Sequence, residues 1–452
     1  MYFSKIDSLL NDHSKNVVAF SGGIDSTVLL HYLYIWQKNH PKSSVRAIHI
    51  NHGLHIKSNY WANHCEQICC RWQLHCTILR VNIENNSKFG IEAIARKKRY
   101  QALIQSLYPE EILLTAHHLN DQCETMLLAL KRGSGPAGLS AIYPTMKIGK
   151  NTILRPLLEY SRESIENYAK KYHLTWIEDE SNYDTSYDRN FIRKLILPKI
   201  ISKWPNFIKT VSRSSTLCRE QELLIDELLI NQLDNLIKED GSLYFLPLLE
   251  MSNIKVYALL RRWIANQGRL TPSYNQLKLI YYKIIINQKQ NMQPCIQIGT
   301  YEIRRFRKCL YLLTINKSLK NNKILWPDLN ISLVLPQNLG LLKADYTKNT
   351  LRLPANNEYV SIQFYANGYF HLLGYQNKRQ IKKIWQNLNI PPWDRYRIPL
   401  IYYNDTLISA VNLFITTDGC ILNNDSGWQV LWCQKPNDYT SKNAYIADLI
   451  KF

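Results

Sequence analysis

The sequence predicts an α/β protein: a parallel sheet covered by helices, then a small helical domain and a C-terminal α+β domain. Three observations carry this expectation. Strand-like and helix-like runs alternate through the first part of the chain. The strand-like runs are almost continuously apolar, as strands buried on both faces are. The polar motifs of this region stand directly after such runs, where parallel sheets bind their ligands.

The elements follow in order. Val17–Phe20 is a short apolar run ending at a glycine pair, and Thr27–Trp36 reads as a helix with one apolar face. Val45–Ile50 is the second strand, with a helical stretch from Ser58 to Trp72 behind it. Leu74–Ile83 and Ile91–Leu107 form the third strand–helix pair, Ile112–Ala116 and Asp121–Lys131 the fourth. Leu217–Lys238, Met251–Asn266 and Tyr274–Asn287 read as helices of a second region. A polar connector near Asn316–Lys323 leads to short segments broken by Asn, Gly and Pro from Pro327 onward. The expected domains are residues 1–215, 216–325 and 326–452.

A chain of 452 residues exceeds one compact core. Hydrophobic content of 46% and charged content of 20% are ordinary for globular proteins. No run approaches the ~18 apolar residues of a membrane span, and the N-terminus lacks the pattern of a signal peptide. A soluble, cytoplasmic protein is expected. Among ten cysteines, Cys65, Cys69, Cys70 and Cys76 cluster near His64 and His75 without the paired spacing of zinc sites. Core packing is the expectation for them, with metal binding as the alternative. Lys and Arg number 56 against 36 Asp and Glu, a formal charge of +20. Such an excess favours polyanions. The basic residues are spread along the chain beside aromatics, as in Arg304-Arg305-Phe306-Arg307-Lys308, so nucleic acid is the expected partner rather than a membrane. A merely solvated surface is the bland alternative.

The segment Ser21-Gly22-Gly23-Ile24-Asp25-Ser26 ends the first strand and opens a helix. Gly22 and Gly23 admit close approach of an anion, and Ser21 and Ser26 add hydroxyl donors. The helix contributes the positive end of its dipole. A carboxylate at Asp25 calls for a cation among the phosphates, magnesium being the natural one, or for a proton-transfer task. The alternative is a Ser-Gly turn that only caps the helix. No G-x-x-x-x-G-K-[ST] motif is present. The loop resembles that of the PP-loop ATP pyrophosphatases, which have an adenine nucleotide alpha hydrolase-like fold. That resemblance implies cleavage of ATP between its α- and β-phosphates.

Further blocks narrow the resemblance. They are His52-Gly53-Leu54, Ile91-Glu92-Ala93 with Ala95-Arg96 and Arg99-Tyr100, and His117-His118-Leu119-Asn120-Asp121-Gln122-Cys123-Glu124-Thr125. Lys131-Arg132-Gly133-Ser134-Gly135, Arg155-Pro156-Leu157-Leu158 and Asp179-x-Ser181-Asn182-x-Asp184 follow, leading to Arg189-Asn190 and Arg193. In this order they resemble the tRNA(Ile)-lysidine synthase family over about the first 215 residues. Ile390-Pro391-Pro392-Trp393-Asp394-Arg395-Tyr396-Arg397 is similar to that family's terminal domain. The resemblance implies ATP and magnesium as cofactors. It implies free L-lysine and a CAU-anticodon isoleucine tRNA as partners. The wobble cytidine would be adenylated on its 2-oxygen, and the lysine amine would then displace AMP.

That chemistry asks two things of the residues. A lysine ammonium of pKa ~10.4 lies about 3.4 units, or roughly 4.6 kcal/mol, from its neutral form at pH 7. Asp25, Asp121 and Glu124 are the candidates to hold it and take its proton, Asp121 and Glu124 sharing one helix face. The alternative is that they only complement a helix N-terminus. Arg96, Arg132, Arg189 and Arg193 are candidates for the developing phosphate charge and for tRNA, with Arg189 the preferred catalytic one. His117 and His118 can act in proton transfer or orient neighbours. Asn120 stands where the family often has a first aspartate, so the acidic role is assigned to Asp121. Lys378-Arg379, Lys382, Lys383, Arg395 and Arg397 are expected to face tRNA, and Trp393 to pack. Two rival readings stay open: a PP-loop tRNA thiolase, for which Cys123 lacks a C-x-x-C companion, and a basic RNA-binding protein with a vestigial loop. Oligomeric state is not legible, a dimer being one option.

Overall fold

The computed structural model describes residues 3–10, 13–53, 55–82, 91–287, 294–347, 350–421 and 426–433. Leu54 and Ile83, and the expected C-terminal domain beyond Cys433, lie outside the described residues. The chain divides into two compact units. Among the described residues, one is built on those up to Leu236 with Ala258–Thr271, the other on Ile237–Tyr257 and those from Pro272 onward.

The first unit begins with α1 (Ser4–Leu10), β1 (Lys15–Ala19), α2 (Ile24–Asn39), β2 (Ser44–Asn51) and α3 (Ser58–Arg71). It continues with β3 (His75–Arg80), α4 (Ile91–Gln105), β4 (Ile112–Leu114), α5 (Leu119–Lys131) and the short α6 (Pro136–Leu139). The hairpin β5 (Thr145–Ile148) and β6 (Asn151–Leu154) precedes α7 (Arg162–Lys171). Then come α8 (Asp188–Phe191), a wider helical turn over Ile192–Ile196, α9 (Leu197–Lys203) and the long α10 (Phe207–Leu236).

The six strands order as β3-β2-β1-β4-β6-β5, parallel throughout except that the edge strand β5 runs antiparallel to β6. From β1 the chain builds outward through β2 and β3, then returns to place β4 on the other side. The crevice at the carboxyl ends of β1 and β4 is therefore the switch point at which such sheets bind ligands.

Adjacent residues of one strand feed two different cores. Val17, Ile48, Leu113 and Ile153 pack with Tyr100 and Leu103 of α4. Val18, Ala47, Leu114 and Leu154 join the larger cluster holding Leu29 and Leu33 of α2 and Ile165 and Tyr168 of α7. This two-sided burial explains why the strands read as unbroken apolar runs. Each buried Val, Leu or Ile among them stabilises the fold by roughly 1.5–3 kcal/mol. A smaller cluster of Cys123, Ile192, Leu197 and Val211 fastens α5 to the segment carrying α8 and α10.

The second unit holds β7 (Leu243–Tyr244), the start of α11 (Asn253–Asn266), whose residues from Ala258 on belong to the first unit, and α12 (Tyr274–Leu279), extended by a wider turn over Ile280–Ile286. β8 (Cys295–Ile298), β9 (Tyr301–Phe306) and β10 (Cys309–Thr314) follow. These strands make an antiparallel sheet in the order β7-β10-β9-β8. The sheet is an addition to the expected helices, because the basic and aromatic residues of β9 mask its alternation. Three further antiparallel sheets follow, a small one pairing Tyr369–Phe370 with Arg379–Gln380 and two larger ones. One orders Lys323–Leu325, Val360–Gln363, Leu400–Tyr403, Thr406–Ala410 and Phe414–Ile415. The other orders Leu333–Val334, Leu341–Asp345, Gly427–Cys433 and Leu351–Arg352. Trp326, Phe364, Tyr403 and Trp428 share one core with both sheets. Helix α13 (Ile381–Asn387) packs Ile384 and Trp385 against Leu400 and Leu407. Among the described residues no helix is long and apolar enough to cross a membrane.

Candidate active site

The Ser21–Ser26 loop leaves β1 and enters α2 with its geometry fixed from within. The Ser26 hydroxyl donates to the Gly23 carbonyl at 2.9 Å and lies 3.0 Å from the Ser21 hydroxyl. Gly22 has φ +83°, and a Cβ there would meet Cys65 Sγ and Ile177 Cδ1 at 2.9 Å. Only glycine fits. Gly23 has an extended backbone, and a Cβ would meet nothing closer than Ser21 Oγ at 3.5 Å. No side chain caps α2, so its first N–H groups remain available to an anion. Ser21 is exposed and Ser26 buried, while the Ile24 side chain enters the core and leaves only its backbone to the loop. His49 braces the loop from below, its Nδ1 lying 2.9 Å from the Phe20 carbonyl and 3.3 Å from Cys65 Sγ.

Asp25, half-buried in the first turn of α2, meets Arg162, whose Nη1 donates to both carboxylate oxygens at 2.9 Å. Arg162 is held in place at the first position of α7, behind the Ser161 cap. The Asn120 side chain accepts the Arg162 backbone N–H at 3.0 Å. This contact gives position 120 a bracing task that needs an acceptor and no charge. Burial raises the proton affinity of Asp25, while His118 and Arg162 act in the opposite direction.

After β4 the chain forms the start of α5. His118 Nδ1 accepts the Asn120 N–H, and Asp121 Oδ2 accepts the His118 N–H at 2.9 Å, a reciprocal cap. With Nδ1 an acceptor, the proton sits on Nε2. That nitrogen lies 3.7 Å from Asp25 Oδ1 and 3.5 Å from Asp121 Oδ2. Arg189 and Arg193, a turn apart, converge on α5. Arg189 Nε donates to Glu124 Oε2 at 2.8 Å, and Arg193 spans both Glu124 oxygens at 2.6 and 2.9 Å. Both also reach Asp121 Oδ1 at 3.3 Å. Glu124 is fully buried. Burial alone would push Asp121 up, but His118, Arg189 and the bond from the His118 backbone N–H outweigh it and hold its carboxyl below the usual range. Both guanidiniums are held more firmly charged despite their burial, by Asp121 and Glu124 around Arg189 and by Glu124 around Arg193. His117 Nδ1 lies 3.0 Å from Thr115 Oγ1, and burial keeps the ring neutral.

A second cationic layer adjoins this network. The Arg96 guanidinium lies 5.5 Å from the Tyr100 ring centre and Arg99 5.9 Å. Arg155 donates to the Tyr143 carbonyl and interacts with the same phenol. The buried Nε atoms of Arg96 and Arg155 have no hydrogen-bond partner. Burial, with Arg99, Arg189 and Arg155 nearby, lowers Arg96 to about 10. Tyr100 is the opposing neighbour that favours its charge.

Of the residues singled out in the sequence, Asp25, Asp121, Glu124, Arg189 and Arg193 form one network, and Arg96 borders it. Arg132 does not join them. It caps the far end of α5 in an exposed position, about 16 Å along the axis from Asp121. In the second unit Lys382 and Lys383 are exposed on α13. Arg395 and Arg397 are half-buried, donating to the Ile390 carbonyl at 3.1 Å and to Gln337 Oε1 at 3.1 Å. Trp393 packs against Phe306 and Tyr311 at 6.0 and 5.3 Å between ring centres. Arg162 is the residue that sequence reasoning missed, and Arg155 was noticed only as part of a block.

No group of three or more His, Cys, Asp or Glu able to hold a metal occurs among the described residues. The four clustered cysteines include Cys65 and Cys69 in the core. Cys123 is buried, and burial pushes its thiol up to about 12, the reverse of a reactive sulfur. A magnesium ion held mainly by phosphates asks for only one or two carboxylates. Asp25 and Asp121, on either side of His118 Nε2, fit that donor set.

A phosphate-gripping loop at the switch point of a parallel sheet, faced by carboxylates and arginines, defines a PP-loop ATP-binding domain. A family model described as a PP-loop domain matches residues 2–200. Models described as the TilS substrate binding domain and TilS substrate C-terminal domain match residues 243–311 and 360–432. A tRNA(Ile)-lysidine synthase of Serratia proteamaculans is 46% identical over 426 residues, 94% of this chain and 97% of that protein. Its counterpart in Pectobacterium atrosepticum is 45% identical over 92% of this chain and 94% of its own. The chain belongs to the tRNA(Ile)-lysidine synthase family.

Proposed function

We propose that this protein converts the wobble cytidine of a CAU-anticodon isoleucine tRNA into lysidine, shifting its reading from AUG to AUA. ATP adenylates the cytosine 2-oxygen with loss of pyrophosphate. The ε-amine of free L-lysine then attacks that carbon, and AMP leaves with the oxygen. The observation that carries this reading is the joining of Asp25, Asp121, Glu124, Arg189 and Arg193 beside the Ser21–Ser26 loop.

The loop amides and hydroxyls grip the β- and γ-phosphates, and Asp25 with Asp121 would hold a magnesium ion. When bound, that ion supplies charge neutralisation at the phosphate oxygens. Arg189 and Arg193, fixed by the buried Glu124, present guanidinium N–H groups to charge building on the α-phosphate without reorganising. Arg96 and Arg155, with unsatisfied Nε atoms, suit a further phosphate of ATP or tRNA. Asp121, held ionised, keeps the lysine ammonium docked. Asp25, of raised proton affinity, takes its proton once pyrophosphate has left. His118 orients both carboxylates through Nε2. Residues 1–215 carry the chemistry, 216–325 link, and 326–452 hold tRNA through exposed cations such as Lys382 and Lys383.

The test is lysine incorporation into a CAU-anticodon tRNA transcript with ATP, with Asp25→Ala as control. Labelled lysine should enter the tRNA and labelled sulfur should not. Sulfur incorporation, or pyrophosphate release indifferent to both lysine and tRNA, refutes the proposal.

A further inference from the structure

Asp25, which the chemistry above gives to a magnesium ion, is engaged by a side chain of its own protein. Arg162 Nη1 stands 2.9 Å from each Asp25 oxygen, so a positive charge sits between the two atoms a metal would use. The same guanidinium has a second carboxylate. Its Nε donates to Glu166 Oε1 at 2.8 Å, one turn further along α7. Nε and Nη2 form one edge of a guanidinium, an edge that can pair with both oxygens of a carboxylate. Arg46 holds Glu111 in this way, through Nε at 2.7 Å and Nη2 at 2.6 Å. In Arg162 that edge is half used: Nε is bonded, and Nη2 makes no bond among the described residues.

The anchoring of Arg162 does not depend on Asp25. Asn120 holds its backbone N–H at 3.0 Å, Ser161 caps the helix, and Ile165 and Tyr168 of that helix are buried in the core. The backbone is fixed, while the side chain is 36% exposed and has room to turn. A guanidinium and a metal ion on one carboxylate repel each other, the more so where solvent screens poorly. Glu166, 43% exposed, offers the arginine a second seat that relieves this repulsion. We propose that Arg162 is a positioning residue that exchanges with magnesium at Asp25. It neutralises the carboxylate until metal and nucleotide arrive, then swings onto Glu166 as a two-bonded pair. Asp25 is thereby never a half-buried charge without a partner. The proposal rests on the reading that Asp25 holds the metal.

The experiment titrates the full chain with free Mg2+ at fixed pH, ionic strength and ATP, without tRNA or lysine, and reads bound labelled ATP. In parallel, electron paramagnetic resonance counts Mn2+ bound to protein and ATP. Arg162→Gln removes the competitor and should lower the half-saturating metal concentration about tenfold. Glu166→Gln takes away the second seat and should raise it about threefold. The double variant should match Arg162→Gln, because Glu166 acts only through the arginine. A merely structural ion pair would lower the melting temperature in both variants and leave both midpoints in place. Midpoints that stay put, or that move in the same direction, overturn the proposal. So does a loss of ATP affinity in Arg162→Gln at every metal concentration, which would make the residue a phosphate ligand. Should Arg162→Gln fail to fold, the midpoint of Glu166→Gln decides alone. If wild-type ATP binding depends on metal and the variants do not shift it, this inference alone fails. If wild-type binding ignores metal altogether, the magnesium reading fails with it.

Discussion

Glu124→Gln tests the arginine clamp most directly. The side chain is fully buried and takes three charge-assisted bonds from Arg189 and Arg193, at 2.6 to 2.9 Å. Glutamine keeps one acceptor oxygen and turns an amide donor toward a guanidinium donor. Breaking a fully buried ion pair costs about 3–5 kcal/mol. Here the two arginines are 26% and 38% exposed and Asp121 stays within 3.3 Å of both, so solvent and the second carboxylate screen part of the loss. About 2–3 kcal/mol remains, or a fall in melting temperature of roughly 4–12 °C for a unit of this size. Thermal unfolding by circular dichroism measures it, and tRNA-dependent pyrophosphate release measures the chemistry. Melting within 1 °C of wild type would refute the clamp. Full activity would refute the idea that Glu124 places the two guanidiniums for catalysis.

The remaining expectations follow from single contacts. Gly22→Ala places a methyl 2.9 Å from Cys65 and Ile177 at φ +83° and should weaken ATP binding at least tenfold, with Gly23→Ala within about threefold; equal losses would contradict the loop geometry. Asn120→Asp keeps the acceptor for the Arg162 N–H and should change turnover less than about threefold, whereas Asn120→Leu should lose about tenfold; a large gain from aspartate would show that the position wants a proton acceptor. Burial lifts Asp394 to about 6, against the pull of Arg397 and a hydrogen bond from Trp393. Its unfolded value is ~3.9, so the folded state keeps the proton longer. This stabilisation is complete below pH ~4 and lost as pH rises through about 6. Asp394→Asn should therefore stabilise the protein at pH 7.5 by on the order of 1–2 kcal/mol and leave pH 4 unchanged. Equal melting shifts at both pH values would refute this.

What was legible in the sequence was local. Val17 and Val18 face opposite cores, so the strands had to be apolar throughout, and that gave away the parallel sheet. The glycine pair and its serines announced the loop within six residues, and the spacing of Asp121 and Glu124 put both on the face that Arg189 and Arg193 meet. Long-range pairing left no such trace. Arg162 is an ordinary helix-opening residue until the fold brings it to Asp25 across 137 positions. Arg132 looked equivalent to Arg189 by composition, yet the length of α5 carries it away from the site. The middle sheet was hidden because only Tyr301 and Ile303 of β9 are buried and the strand runs on through Arg304, Arg305 and Phe306, which read as a basic patch.

Around the switch point, six arginines (Arg96, Arg99, Arg155, Arg162, Arg189 and Arg193) face four carboxylates among the described residues, Asp25, Asp121, Glu124 and the Glu166 that pairs with Arg162. The folded chain thus holds a surplus of like charge in a place where repulsion is weakly screened. A polyphosphate entering there relaxes that stress as well as gaining contacts. By linkage, whatever binds the native form alone raises its resistance to unfolding. Nucleotide then acts as a structural tenant of the protein, and the fold reaches its most durable form only while it is at work.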